Sequence, residues 1–93
     1  MNDETLRLNV ERMYTFDGDG PLKAFADLTI NDAVLVKGFR VVDGKKGMFV
    51  GMPRQGSKNG KWFDAVKPLT KTMHAQLTRT VLEAYTAETA GKR

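Results

Sequence analysis

Leu6, Leu8 and Val10 alternate with Arg7, Asn9 and Glu11, a period of two that predicts a half-buried strand. Asp17-Gly18-Asp19-Gly20-Pro21 then reads as a turn, because glycine permits positive φ and Pro21 has no N–H for a ladder. Leu22, Ala24, Ala26, Leu28 and Ile30 alternate with Lys23, Phe25, Asp27 and Thr29, which predicts a second strand. Asn31-Asp32 predicts a tight hairpin turn, since both side chains tolerate left-handed geometry. Residues 33–42 form a third strand that is apolar on both faces. Straight alternation puts Val34, Val36 and Val42 on one face and Leu35, Phe39 and Val41 on the other. A strand of this kind is covered on both sides. A helix covers one face, and a partner subunit covers part of the other. Gly38 marks a bulge or a close backbone approach within it.

Residues 48–52 give a short fourth strand, stopped by Pro53, which cannot donate to a ladder. Residues 54–58 read as loop, Asn59-Gly60 as a hairpin turn, and 62–66 as a fifth strand. From Thr70 the period changes. Met73, Leu77, Val81, Ala84 and Tyr85 make the stripe of one amphipathic helix, capped by Thr70 or Thr72. Thr78, Thr80 and Thr86 lower its intrinsic propensity, so packing must hold it. The predicted class is α+β: an antiparallel β-meander of about five strands followed by one C-terminal helix. The 93 residues make a single domain, with frayed tails expected at 1–4 and 89–93.

Charge changes this picture. Residues 1–33 carry three basic and seven acidic side chains, whereas 34–93 carry twelve basic and four acidic ones. That asymmetry predicts one basic surface that attracts a polyanion. The absence of cysteine excludes disulfides and thiolate metal sites and fits a cytoplasmic protein. No apolar run approaches a membrane span, and the polar start (Asn2, Asp3, Glu4) is unlike a signal peptide. A core of this size gains from burial across a subunit interface, so an oligomer is expected.

Catalytic chemistry finds little support. His74 is the single histidine and has no partner constellation, which points to a structural or surface role. Asp17, Asp19, Asp43 and Asp64 sit in or near turns, where Asx hydrogen bonding explains them. Asp17-Gly18-Asp19-Gly20 lacks the later ligands of a calcium loop, and the glycines form no nucleotide fingerprint. No enzyme, cofactor, metal or small-molecule substrate is expected.

The basic residues concentrate at turns: Lys45 and Lys46, then Arg54, Lys58 and Lys61. Arg40 is expected in the sheet near the same end, and Lys67 and Lys71 near the helix start. There free N–H groups also face phosphate. Lysine supplies point charge, and arginine binds phosphate or a guanine edge bidentately. Trp62 and Phe63 point opposite ways on a strand. One is expected in the core. The other either fills a subunit contact or stacks on a base.

Four blocks resemble the stage V sporulation protein G (septation protein) family, from about Leu6 to Tyr85. They are Leu6-Arg7-Leu8; residues 22–32; Phe39 to Pro53; and Asn59-Gly60, Phe63-Asp64 and Pro68 with the helix end Val81-Leu82-Glu83-Ala84-Tyr85. The resemblance implies a sheet-plus-helix domain that dimerises. It also implies DNA binding, RNA binding in some members, and a regulatory role that includes septation in sporulating members. Two departures stand out. The hairpin over 13–20 is longer than the family's usual turn. Where the family carries a Ser-Lys-Arg run implicated in DNA contact, this chain has Arg54, Gln55 and Gly56. Lys58 and Lys61 stand where the family often has neutral or acidic residues.

The expected function is a homodimeric, cytoplasmic DNA- or RNA-binding regulator. Its contacts are Arg54, Lys58, Lys61, Lys45, Lys46 and Arg40, with Lys67 and Lys71 peripheral. The rival expectation is a protein-interaction module that pairs through strand edges, its lysines serving only solubility.

Overall fold

The computed structural model of the chain describes residues 6–90. The elements run β1 (Leu8–Thr15), β2 (Leu22–Ile30), β3 (Val34–Gly44), β4 (Gly47–Gly51), β5 (Arg54–Gly56), β6 (Trp62–Asp64) and α1 (Lys71–Ala90). The α+β class holds. The strands divide, however, into an antiparallel sheet ordered β1-β2-β3-β4 and a separate β5-β6 ribbon, rather than one meander of five. Residues 1–4 and 91–93 of the expected tails lie outside the described residues. Thr89 and Ala90 are the last residues of α1, with the Thr89 hydroxyl donating to the Tyr85 carbonyl at 3.0 Å.

Bulges set which side chains face the core. In β1, Val10 pairs with Leu28 and Arg12 with Asp27, so Glu11 is the extra residue. The offset keeps Met13 on the core side with Leu8 and Val10 and lets β1 run on to Thr15. Part of the hairpin expected over 13–20 is therefore strand, and the Phe16 N–H still donates to the Lys23 carbonyl at 2.9 Å. In β3, Val36 pairs with Leu28 and Phe39 with Ala26, so Lys37-Gly38 together oppose Asp27. Gly38 has φ 99°, and a Cβ there would meet nothing closer than Pro53 Cβ at 3.7 Å. Backbone conformation, not space, selects glycine. The bulge shifts the alternation by one. Val36, Phe39 and Val41 share the core face, and Leu35, Arg40 and Val42 share the opposite one. This corrects the straight alternation read from the sequence, which grouped Phe39 and Val41 with Leu35.

Asn31 and Asp32 adopt φ 53° and 56°, and the Ala33 N–H closes the turn onto the Ile30 carbonyl at 2.9 Å. The Asn31 side chain also accepts from the Arg7 N–H at 2.8 Å, fastening the start of β1.

One sheet face packs on α1. Ala24, Ala26, Leu28, Phe39, Val41, Val50 and Met52 meet Leu77 and Val81, flanked by Met73, Leu82 and Tyr85. Burying Leu77 and Val81 contributes about 1.5–3 kcal/mol each. That is enough to offset the weak helix propensity of the threonines. Thr70 is the cap, its Oγ1 accepting from the Met73 N–H at 3.1 Å.

Candidate nucleic-acid interface

Val41 and Val50 face the core, so the neighbouring pair Arg40 and Gly51 faces away from the helix. Gly51 has no side chain, and the Arg40 guanidinium lies across the space one would fill. Arg40 Nη2 donates to the Met52 carbonyl at 3.3 Å, while Nε is buried without a hydrogen-bond partner among the described residues. Burial first, and then the positive charge of Arg54, hold the guanidinium below its ordinary value. It remains charged at any physiological pH. Two arginines are thus neighbours on one surface. Asp64 stands near them, its Oδ1 4.0 Å from Arg54 Nε, with both side chains about half exposed. An ion pair so open offsets little of that repulsion.

Pro53 ends β4, as its missing N–H dictates. Arg54 to Gly56 were expected in a loop. They form a strand instead, because β6 offers partners: Arg54 pairs with Asp64, Gln55 with Phe63 and Gly56 with Trp62. The turn between them follows the Asn59-Gly60 signal, with Gly60 at φ 80° and the Ser57 N–H donating to the Lys61 carbonyl at 2.8 Å. The Ala65 N–H donates to the Pro53 carbonyl at 2.7 Å and ties the ribbon's two ends together.

The structure gathers Arg40, Arg54 and Lys67 around one hollow of about 370 Å³, with Asp64 and His74 in its wall. Lys58 and Lys61 sit at the exposed far turn of the ribbon, and Lys71 is the exposed first residue of α1. Lys45 and Lys46 form the exposed β3–β4 turn. Arg40 lies four residues along β3 from Gly44, about 13 Å away by strand rise. Arg40, expected at the end of the basic turns, therefore stands beside Arg54 but not beside Lys45 and Lys46. It sits at the other end of β4, because β3 and β4 pair up to Arg40 and Gly51. Trp62 and Phe63 also depart from expectation. They are 65% and 57% exposed, so neither enters the core. The ribbon that carries them stands apart from the main sheet. His74 and Lys37 were given no binding role from sequence. His74 reaches the hollow because one helical turn separates it from the Thr70 cap. Lys37 flanks the Gly38 bulge, and that glycine was the available signal for it.

Among the described residues, no group of three or more histidine and acidic side chains could hold a metal ion. No described helix is long and apolar enough to cross a membrane.

A four-stranded antiparallel sheet with one covering helix and a cationic ledge at its edge defines a small α+β domain. Comparison with known proteins agrees with the four sequence blocks. The SpoVG family model matches residues 7–87. A septation protein SpoVG of Archaeoglobus fulgidus is 35% identical over 74 residues, covering 80% of this chain and 87% of the relative. That of Symbiobacterium thermophilum is 34% identical over 84 residues, covering 90% of this chain and 60% of the relative. That of Staphylococcus carnosus is 31% identical over 74 residues, covering 80% and 69%. The chain belongs to the SpoVG family, whose matched members carry the name septation protein.

Proposed function

We propose that this protein is a homodimeric nucleic-acid-binding regulator of the septation type, acting on DNA or RNA in the cytoplasm. One observation carries the reading. Arg40 and Arg54 stand together beside Lys67, with Asp64 as the acid in the same wall. Like charges held this close are unfavourable by themselves and are relieved by an anion, and a polyanion meets several at once. The wider basic surface, from the ribbon turn to the start of α1, extends the same field. Catalysis has no part in this reading.

Dimerisation is supported by the sheet face away from α1. Leu22, Val42 and Phe49 lie in one cross-strand row there, beside the Phe16–Phe25 edge contact at 5.5 Å between ring centroids. Phe49 and Phe16 are 48% and 42% exposed, and such apolar clusters mark interaction surfaces. This patch borders the cationic residues: Phe25 pairs with Arg40, and Phe49 lines the hollow of Arg40, Arg54 and Lys67.

The test is a salt titration of DNA and RNA binding. Arg54→Ala with Lys67→Ala should flatten the log–log salt dependence by about two units, roughly one per lost phosphate contact. An unchanged slope removes these residues from the interface. Absence of binding even at low salt favours the rival protein-interaction module, which would use the exposed edge of β4.

A further inference from the structure

On the other side of Arg40 lies a second hollow of about 340 Å³, which is at the small end of sites for organic ligands. Its floor is the Gly38 bulge against Pro53. Three cations line it, Lys37, Arg40 and Arg54, and no acidic side chain does. Phe25 and Trp62 supply aromatic wall.

Trp62 is mounted in a specific way. It pairs with Gly56 across the ribbon, and its six-membered ring covers the glycine: a Cβ there would meet Cζ3, Cη2 and Cε3 at 3.5, 3.6 and 3.8 Å. The ring thus packs against the Gly56 position. With 65% of the residue still exposed, the rest of the ring borders the hollow and solvent. A large aromatic held open to water in this way gains by taking a flat apolar partner.

We propose that this hollow takes a single unpaired nucleobase, stacked on Trp62, with its flanking phosphates on Lys37, Arg40 and Arg54. The inference rests on the nucleic-acid reading above and narrows it to single-stranded segments. A base inside a duplex has both faces stacked and cannot enter, whereas an unpaired base offers a face to an aromatic ring and a phosphate on each side. An aromatic wall and three cations in one small hollow match that combination of plane and charge. Arginine contributes to both, because its guanidinium also stacks.

Trp62 is the sole tryptophan of the sequence, so its fluorescence reports on the hollow directly. The probes are single-stranded oligo-dT and oligo-U of about 12 nucleotides, a length typical of single-strand-binding domains, and a duplex of equal length. A peptide alternating glutamate and tyrosine serves as a fourth arm. Both single strands should quench Trp62. Trp62→Ala should lower the ratio of single-strand to duplex affinity about tenfold, and Trp62→Phe should restore most of it. The far-UV spectrum should not change, since the side chain lies outside the core. Single-strand binding without quenching, together with an unaltered ratio in Trp62→Ala, would overturn this inference while leaving the nucleic-acid reading intact. Quenching by the acidic peptide but by neither oligonucleotide would overturn it in favour of a protein partner. Failure of every nucleic acid to bind at low salt would overturn both readings together.

Discussion

Gly51 shows how one missing side chain places a charge. The Arg40 guanidinium occupies the space a Cβ would take, and it is held there by the Met52 carbonyl. Gly51→Ala would push the far end of that side chain aside and leave the backbone ladder in place. The expected loss of stability is about 1.5–3 kcal/mol, the worth of a hydrogen bond from a charged donor. The melting temperature should fall by roughly 4–8 °C per kcal/mol in a domain of this size. Nucleic-acid affinity should fall as well, because Arg40 leaves the ledge. Thermal unfolding and a shift assay on one preparation separate the two effects. A stability loss with affinity fully retained would show that the position of Arg40 is structural only. Gly38 answers a different demand. Its positive φ makes the bulge, and the bulge turns Phe39 and Val41 inward.

At the scale of elements, α1 is held by its packed stripe and its cap more than by propensity. Its first turn contains no acidic residue and its last turn no basic one, so the helix dipole goes uncompensated by its own side chains. The Thr70 hydroxyl is thus a principal polar device at the N-terminus. Thr70→Ala should cost about 1 kcal/mol in chemical denaturation. The cap also fixes where the helix begins, and with it the positions of Lys67 and His74 beside Arg40 and Arg54. The β5-β6 ribbon is short and open to water on both sides. It is pinned by the Ala65–Pro53 hydrogen bond and by the Asn59-Gly60 turn. These place Trp62 near Arg40, although the two are far apart in sequence.

At the scale of the whole molecule, the helix covers one sheet face, and the other carries an exposed apolar patch around Phe49. A chain of this length gains stability by closing such a face against a second copy. Phe49→Glu places a charge at the β4 end of the Leu22–Val42–Phe49 row. It should convert a dimer to a monomer in sedimentation equilibrium at micromolar concentration. A variant that still sediments as a dimer would place the interface elsewhere. Cations are also partitioned at this scale. Arg40, Arg54 and Lys67 share a ledge, while Lys45 and Lys46 stand at the other end of β4.

Much of this could be read along the chain. The strands over 22–30 and 33–42, the Asn31-Asp32 and Asn59-Gly60 turns, the stop at Pro53 and the helical stripe all depend on neighbours within a few residues. Periodicity and turn chemistry record such interactions directly. The family blocks were legible for the same reason, since they are strings of local choices. The tertiary structure alone decided the rest. A bulge shifts the face of every residue beyond it, and nothing local fixes whether Glu11 or Lys37 is the surplus residue until a partner strand is paired. Arg54 to Gly56 became a strand because β6 lay alongside, an interaction made across a turn. Trp62 and Phe63 stayed in solvent because β6 pairs only with β5, in a ribbon separate from the main sheet and its core. The cationic ledge joins residues from β3, β5, the segment after β6 and the start of α1. Charge acts through space, so no spacing along the chain could have grouped Arg40 with Arg54 and Lys67 rather than with Lys45 and Lys46.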